Sequence, residues 1–368
     1  MVRAISAESR PRSRTASRPR ARKSFFTSVG AAACLLAVAA LGCTKRTDSK
    51  GPKIGFVLHG LNDFTQVIQK GAQDAASELG ADVEVVGPAG FVPTEAIGMF
   101  EAMVQKQKNG VIVVPQPGDL WARPIREAAE RRIPVLTANV TSANSPAAAW
   151  FGQDEFNSGV LLGKELRRLL ELAGKVEGKV AVGICAPGLA VLTARFEGLK
   201  KALEGSRYSL TQPFDVTTEN TSNYSAWENL AGANADMVAA VGLCSLDIPN
   251  LARIKARSGA SWLIAGYDLN VESLNAVREG VAQVAVGQHP YLQGYLPVLA
   301  LVQYLRDKKP LVQGWVDVGT EVVTRENIDT VYSRESDDAA ETAWYRKYIA
   351  EHFADLQAVA KEFPWQKK

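Results

Sequence analysis

One stretch, Ile133 to Leu166, divides the rest of the chain. It reads as a buried strand over Pro134 to Thr137, a polar strand end at Asn139, a loop, and a second short strand over Ala147 to Phe151. The turn Gly152-Gln153-Asp154 then leads into a long amphipathic helix from Gly159 to Leu172. A strand that ends in Gly-Gln-Asp and hands the chain straight to a helix can carry it out of one lobe and into another. Strand–helix alternation precedes this stretch and begins afresh after it. Such alternation means βαβ units and parallel sheets, and here it implies two of them.

In the first half, Lys53 to Leu58 is a short apolar run ended by His59-Gly60-Leu61-Asn62-Asp63-Phe64. Thr65 to Leu79 has helical spacing, with Gly80 as a C-cap. Strands at Asp82 to Val86, Val111 to Val114 and Pro134 to Thr137 alternate with helices at Thr94 to Lys108 and Leu120 to Arg131. In open parallel sheets a ligand sits beyond the carboxyl ends of the strands. The residues expected there are Asn62, Asp63, Phe64, Gln116, Asp119 and Asn139.

The second half repeats the pattern. Strands are expected at Lys179 to Ile184, Tyr208 to Gln212, Met237 to Leu243, Trp262 to Gly266 and Val281 to Val286. Their ends carry Cys185, Cys244-Ser245, Tyr267-Asp268 and Gly287-Gln288, with Phe214 just beyond the second strand. A helix from Ala194 to Leu203 places Arg195 at its start, where the helix dipole disfavours a cation, so a specific partner is expected. Beyond Gln288, a helix over Pro290 to Arg306 and a strand over Val316 to Val318 fit return crossovers, one completing each lobe. Thr342 to Lys361 reads as an added helix docked on the outside.

The N-terminus is of another kind. Residues 1–42 hold eight Arg/Lys and one Glu, about +7, so with a total of +3 the remainder is near −4. The basic excess belongs to a leader, and no nucleic-acid partner follows from it. The apolar run Phe25 to Leu41, followed by Gly42-Cys43, reads as a secretory signal, and its 17 residues fall short of the roughly 20 a spanning helix needs. Ala40-Leu41-Gly42-Cys43 resembles the bacterial lipoprotein processing box, which makes Cys43 the expected lipidation site and residues 43–52 a tether. An uncleaved anchor helix is the other reading. The four cysteines and the three histidines, His59, His289 and His352, have no metal-ligand spacing. We expect no metal and no cofactor.

Several wordings, in one order along the chain, resemble the type I periplasmic binding proteins of the ribose and simple-sugar class. They are NDFTQVIQKGAQDAASELG, VIVVPQPGDLW, IPVLTAN, FGQDEFNSGVLLG, LTARFEGLKKAL, IAGYDLNVESLNAVREG, VAVGQHPYLQGYLPV and VVTRENI, covering about Lys53 to Ile328. The resemblance implies an α/β fold of two Rossmann-like lobes with flavodoxin-like strand order, joined by a multi-crossover hinge with a ligand cleft between them. It divides the chain into an N-terminal lobe (53–152 plus about 289–315), a C-terminal lobe (153–288 plus about 316–330) and a C-terminal helical extension (331–368). Phe64 falls on an aromatic that packs on the sugar, Arg195 near the cleft arginine, Asp268 on a cleft aspartate and Gln288 on a cleft glutamine. With Asn62, Gln116, Asn139, Phe214 and Cys244 these form the expected ligand-binding set. Asn139 and Val140 stand where the family usually has Asp and Arg, and Cys244-Ser245 where it has Asn-Asp.

The function implied is capture of a small polar solute, a sugar or related polyol, by hinge closure and its delivery to an ABC importer. The alternative is a receptor subunit that signals to a membrane sensor. The expected partners are the small ligand, the permease and, through the lipid anchor, the membrane; the expected state is a monomeric lipoprotein of the periplasm or cell envelope. Repressors with a similar core need a DNA-binding segment where this chain has its signal. Gly159 to Glu165 lacks the spacing and the Ser/Thr of a phosphate loop. With no nucleophile elbow, Cys/His pair or carboxylate pair in a motif, no enzyme is expected. Asp268 has a second reading as a helix N-cap, and Trp121 reads as core. Cys185 and Cys244 end the first and third strands of the second lobe, which that strand order makes neighbours, and export permits a disulfide between them.

Overall fold

The computed structural model describes residues 51–363. The signal segment 1–42, the lipidation site Cys43 and nearly all of the 43–52 tether lie outside the described residues.

The first half folds as β1 (Lys53–Val57), α1 (Asp63–Leu79), β2 (Asp82–Val86), α2 (Pro93–Gln105), β3 (Gly110–Val113), α3 (Ala122–Glu130), β4 (Val135–Ala138) and β5 (Ala149–Gly152). The second comprises α4 (Glu155–Leu172), β6 (Gly178–Ile184), α5 (Ala190–Leu203), β7 (Tyr208–Leu210), β8 (Phe214–Asp215), α6 (Asn220–Ala233), β9 (Ala239–Gly242), α7 (Asp247–Ser258), β10 (Leu263–Tyr267), α8 (Val271–Arg278) and β11 (Val284–Gly287). The remainder is α9 (Pro290–Leu305), β12 (Gly314–Asp317), β13 (Glu321–Val323), α10 (Ile328–Glu335), α11 (Asp338–His352) and α12 (Leu356–Val359).

The sheets run β12-β5-β4-β3-β1-β2 and β13-β11-β10-β9-β6-β7. Numbered within each lobe, both have the order 2-1-3-4-5 of a flavodoxin-like sheet, extended at the far edge by one late strand. Strands such as GVIV and VLTA are buried at every residue, because helices cover both faces of a parallel sheet. One face of the first sheet packs against α1, α9 and α11, the other against α2 and α3. In the second lobe α4 and α5 cover one face and α6, α7, α8 and α10 the other. Trp121 is fully buried in the α2/α3 layer, edge-on to Phe100.

The structure corrects the sequence reading at four places. The strand expected at Val316 to Val318 in the second lobe is β12, and it pairs with β5 of the first sheet. Its alternation decides this: Trp315 stacks on Trp150 at 5.5 Å, while Val316 and Val318 enter the first core. The short β13 takes the second-sheet place instead, antiparallel to β11. Helix α4 starts at Glu155, not Gly159, because Asp154 caps it by accepting from Asn157 N at 2.9 Å. Helix α5 starts at Ala190, which puts Arg195 in its second turn, beyond the first-turn dipole. Finally, residues 331–363 do not simply lie outside: Ile328 and Val331 of α10 belong to the second lobe's core, whereas Tyr345, Ile349 and Phe353 of α11 belong to the first lobe's. Among the described residues the chain therefore passes between the lobes four times: β5 to α4, β11 to α9, β12 to β13, and α10 to α11.

Candidate functional site

Asn139 follows β4 of the first sheet and Asp268 follows β10 of the second, and both meet at Gln288, the residue after β11. Asn139 Nδ2 donates to Gln288 Oε1 at 3.2 Å, and Gln288 Nε2 donates to Asp268 Oδ1 at 2.7 Å. Asn139 and Asp268 have left-handed backbones, with φ of 59° and 73°. Asn and Asp tolerate that region better than other non-glycine residues, and it swings each side chain out of line with its strand. Trp150 Nε1 locks the turn by donating to the Asn139 carbonyl at 3.0 Å. Asp268 does not cap a helix; Asn270 caps α8 by accepting from Ser273 N at 2.8 Å. Protein surrounds the half-buried Asp268 closely enough that burial pushes its carboxyl pKa up, against the opposing pull of Arg195 and the Gln288 bond.

Arg195 reaches the same region from α5. The approach depends on two glycines where α4 crosses α5: a Cβ on Gly159 would strike the Arg195 carbonyl, and one on Gly198 the Phe156 carbonyl. With the backbones that close, Arg195 Nε and Nη2 donate to the two oxygens of Glu155 at 2.6 and 3.1 Å. Nη1 donates to the Leu243 carbonyl at 2.9 Å, and the guanidinium lies over the Tyr267 ring at 4.1 Å. Burial works against the guanidinium's charge, but Glu155 outweighs it and holds the pKa above its ordinary value. Tyr267 shares a 3.0 Å hydrogen bond with Ser158, and burial raises its phenol pKa, so it stays neutral.

The network continues into the crossovers. Gln153 Nε2 donates to Glu155 at 2.9 Å, and Thr320 Oγ1 donates to Gln153 Oε1 at 2.9 Å. Two of the four lobe-to-lobe connections are thus bonded, through Gln153, to the ion pair beside the strand ends, and a third carries Gln288.

The other expected residues are distributed around this centre. Half-buried Phe64 packs on the first core together with Val191 of α5, which also packs into the second core, so the lobes touch there. Asn62 is exposed, and its Oδ1 caps α1 by accepting from Thr65 N at 3.0 Å. Gln116 is buried beyond β3, and Phe214, 45% exposed, pairs with Gly183 near the end of β6. Cys244 is disulfide-bonded to Cys185 with Cα atoms 6.2 Å apart, so it presents no thiol. The bond follows from β6 and β9 being paired neighbours. Asn139, Arg195, Asp268 and Gln288 are gathered into one cluster; Asn62, Gln116 and Phe214 remain at the strand ends of their own lobes.

Sequence reasoning missed Glu155, one residue past the turn it singled out, and missed His59 after β1. The His59 Nδ1 is buried without a partner, and burial lowers the imidazole pKa to about 4, which keeps the ring neutral.

Residues 54–309 match the model of the periplasmic binding protein domain. A xylose/arabinose-binding protein, XylF, of Sulfolobus acidocaldarius is 26% identical over 316 residues, 79% of this chain and 76% of that protein. A ribose import binding protein, RbsB, of Haemophilus influenzae is 23% identical over 267 residues, 72% of this chain and 88% of that one. Among solved structures, an ABC transporter solute-binding protein from Burkholderia graminis in complex with D-arabinose shares the fold with a TM-score of 0.71 at 20% identity, over 76% of this chain and 98% of that one. The matched domain model spans most of the chain, and the solved structure shares its fold of two sheets: the chain belongs to the periplasmic binding protein domain family, as a type I protein of the simple-sugar class.

Proposed function

We propose that this protein is the extracytoplasmic solute-binding component of an ABC importer, and that it captures a neutral sugar between its lobes and delivers it to the permease. The observation that carries this reading is the Asn139–Gln288–Asp268 chain, which joins a strand end of each lobe through a crossover residue. A sugar hydroxyl both donates and accepts, and carboxylate, amide and guanidinium groups together supply both kinds of partner. Asp268, Gln288, Arg195, Asn139 and Asn62 are the polar ligand contacts in this reading. Phe64 covers the C–H face of the ring, and Gln116, Phe214 and Cys244 shape the rim. The moving bodies are 53–152 with 289–317, and 153–288 with 321–335. A ligand held by both bodies stabilises the closed arrangement by its differential affinity for it. The pentose-binding relatives make xylose, arabinose and ribose the first candidates.

Residues 1–42 act as a signal segment in this proposal, and Cys43 carries the lipid that holds the protein, as a monomer, at the outer face of the cytoplasmic membrane or in the periplasm. A single acyl chain anchors only marginally, so stable attachment takes more than one. Calorimetry of the purified chain against D-xylose, L-arabinose, D-ribose and common hexoses tests the sugar reading: saturable binding of at least one is expected, and binding of none overturns it. Intact-mass analysis of membrane-extracted protein tests the anchor, which a mature chain beginning at Met1 would rule out.

A further inference from the structure

We propose that Glu155 determines the charge specificity of the cleft, admitting neutral sugars and turning away sugar acids; this rests on the sugar-binding reading above. An arginine carries five N–H donors in a planar fork. In Arg195, Nε and one Nη2 N–H go to Glu155, and one Nη1 N–H goes to the Leu243 carbonyl. One N–H on each terminal nitrogen remains for a ligand.

The charge, however, is already answered. The two side chains are only 5% and 6% exposed, so their pairing is screened little by water. A buried guanidinium without a counter-ion draws an anion strongly, because an unpaired charge in such a place is costly. With both Glu155 oxygens facing it, Arg195 forms a pair of no net charge that still offers directional donors, which suits a hydroxyl oxygen. Asp268 adds a second carboxylate close enough to raise the Tyr267 pKa along with Glu155. A sugar acid entering here would place a third carboxylate against one guanidinium. Glu155 is itself held in place by its position in the first turn of α4 and by the Gln153 amide, which is bonded to Thr320.

The test is Glu155→Gln, assayed by calorimetry with D-xylose against D-xylonate and D-glucose against D-glucuronate. The wild type is expected to favour the neutral member of its preferred pair by at least tenfold. Glu155→Gln is expected to shift the acid-to-neutral affinity ratio towards the acid by tenfold or more. A purely structural role would weaken both ligands alike and leave the ratio unmoved, which would overturn the proposal, as would wild-type binding of the acid as tight as that of the neutral sugar. If Glu155→Gln does not fold, the double variant Glu155→Gln/Arg195→Met removes both charges. It is expected to bind more weakly but keep the wild-type ratio, and a gain for the acid there overturns the proposal. A wild type that binds neither member of any pair fails the sugar-binding reading; a wild type that binds the neutral sugar while the ratio stays fixed in Glu155→Gln fails this inference alone.

Discussion

Gln288 Nε2 donates to the Asp268 carboxylate at 2.7 Å, and that bond fastens the β11-to-α9 crossover to the second lobe's strand end. Asp268 then has lone pairs left for a ligand hydroxyl, and its left-handed backbone aims it away from β10. Replacing it with Ala removes a charge-assisted hydrogen bond worth about 1.5–3 kcal/mol. The expected result is sugar affinity lowered by on the order of tenfold or more, read by calorimetry with whichever sugar the wild type binds. Unchanged affinity would take Asp268 out of the site.

The Cys185–Cys244 disulfide closes a loop of sequence separation 59. By chain entropy alone, such a closure stabilises by about 4 kcal/mol, and typical measured values are about 2–4 kcal/mol. Cys244 also donates its backbone N–H to buried Asp247 at 2.8 Å, in a cluster with Asn223 and Trp227, so the bridge braces a polar core directly beneath the strand ends. Urea unfolding with and without a reductant is expected to show a lower midpoint for the reduced protein. Coincident midpoints would mean that the bridge adds no stability in solution.

His289 sits in the crossover after Gln288, stacked on Trp344 with ring centroids 5.8 Å apart and with Nδ1 3.3 Å from the Tyr345 hydroxyl. Burial lowers its pKa from 6.5 to about 4; Arg334 lowers it further, and Glu321 and Asp317 oppose the shift. The unfolded chain therefore takes up a proton as the pH falls through 6.5, whereas the folded protein does not until about 4. More protons on the unfolded state mean that the contribution of this one histidine to stability falls on acidification across that window, by about 2 kcal/mol between pH 7 and 5. His289→Asn, which keeps a residue tolerant of the left-handed backbone, is expected to flatten this part of the profile. Thermal melts at pH 7, 6 and 5 compare the two, and parallel profiles would contradict the assignment.

Periodicity made the two sheets readable, because a strand covered on both faces shows as a bare apolar run, and the helices between are long enough to show their spacing. The same signal failed at β12, where Gly314 to Asp317 is too short and too mixed to reveal which core its Trp315 and Val316 enter. Asn139, Asp268 and Gln288 were legible as polar residues at strand ends, and the cysteine pair followed from strand order. Partner choice was not legible. Glu155 and Arg195 are 40 residues apart, Asn139 and Gln288 are 149 apart, and no local pattern says that an acid in the first turn of one helix will face an arginine in the second turn of another. Whether Asp268 caps a helix was likewise open until the backbone placed Asn270 at that position.

The fourth passage between the lobes leads to a further prediction. Arg334 of α10 donates to Glu321 of β13 at 2.6 Å, and its guanidinium lies over Trp344 of α11 at 4.1 Å. On the far side, α11 is fixed to the first lobe: Tyr345 stacks on Tyr291 at 4.5 Å, Lys70 Nζ donates to Thr342 at 2.6 Å, and Arg346 Nε donates to Glu78 at 2.6 Å. Only Ser336 and Asp337 separate the two anchored helices, a link as short as those at Gln153-Asp154 and Gln288-His289, so it too acts as a leash on any opening motion. Inserting a short Gly-Ser segment after Ser336 lengthens the leash but leaves the Asp337 cap on Ala340 N and both packed faces intact. The melting temperature is expected to stay within a few degrees, because no buried group is removed. Solution scattering of the ligand-free protein is expected to show a larger radius of gyration than the wild type, and sugar affinity should fall several-fold as the competent population shrinks. Identical scattering and affinity would show that the other three crossovers already set the range of the hinge.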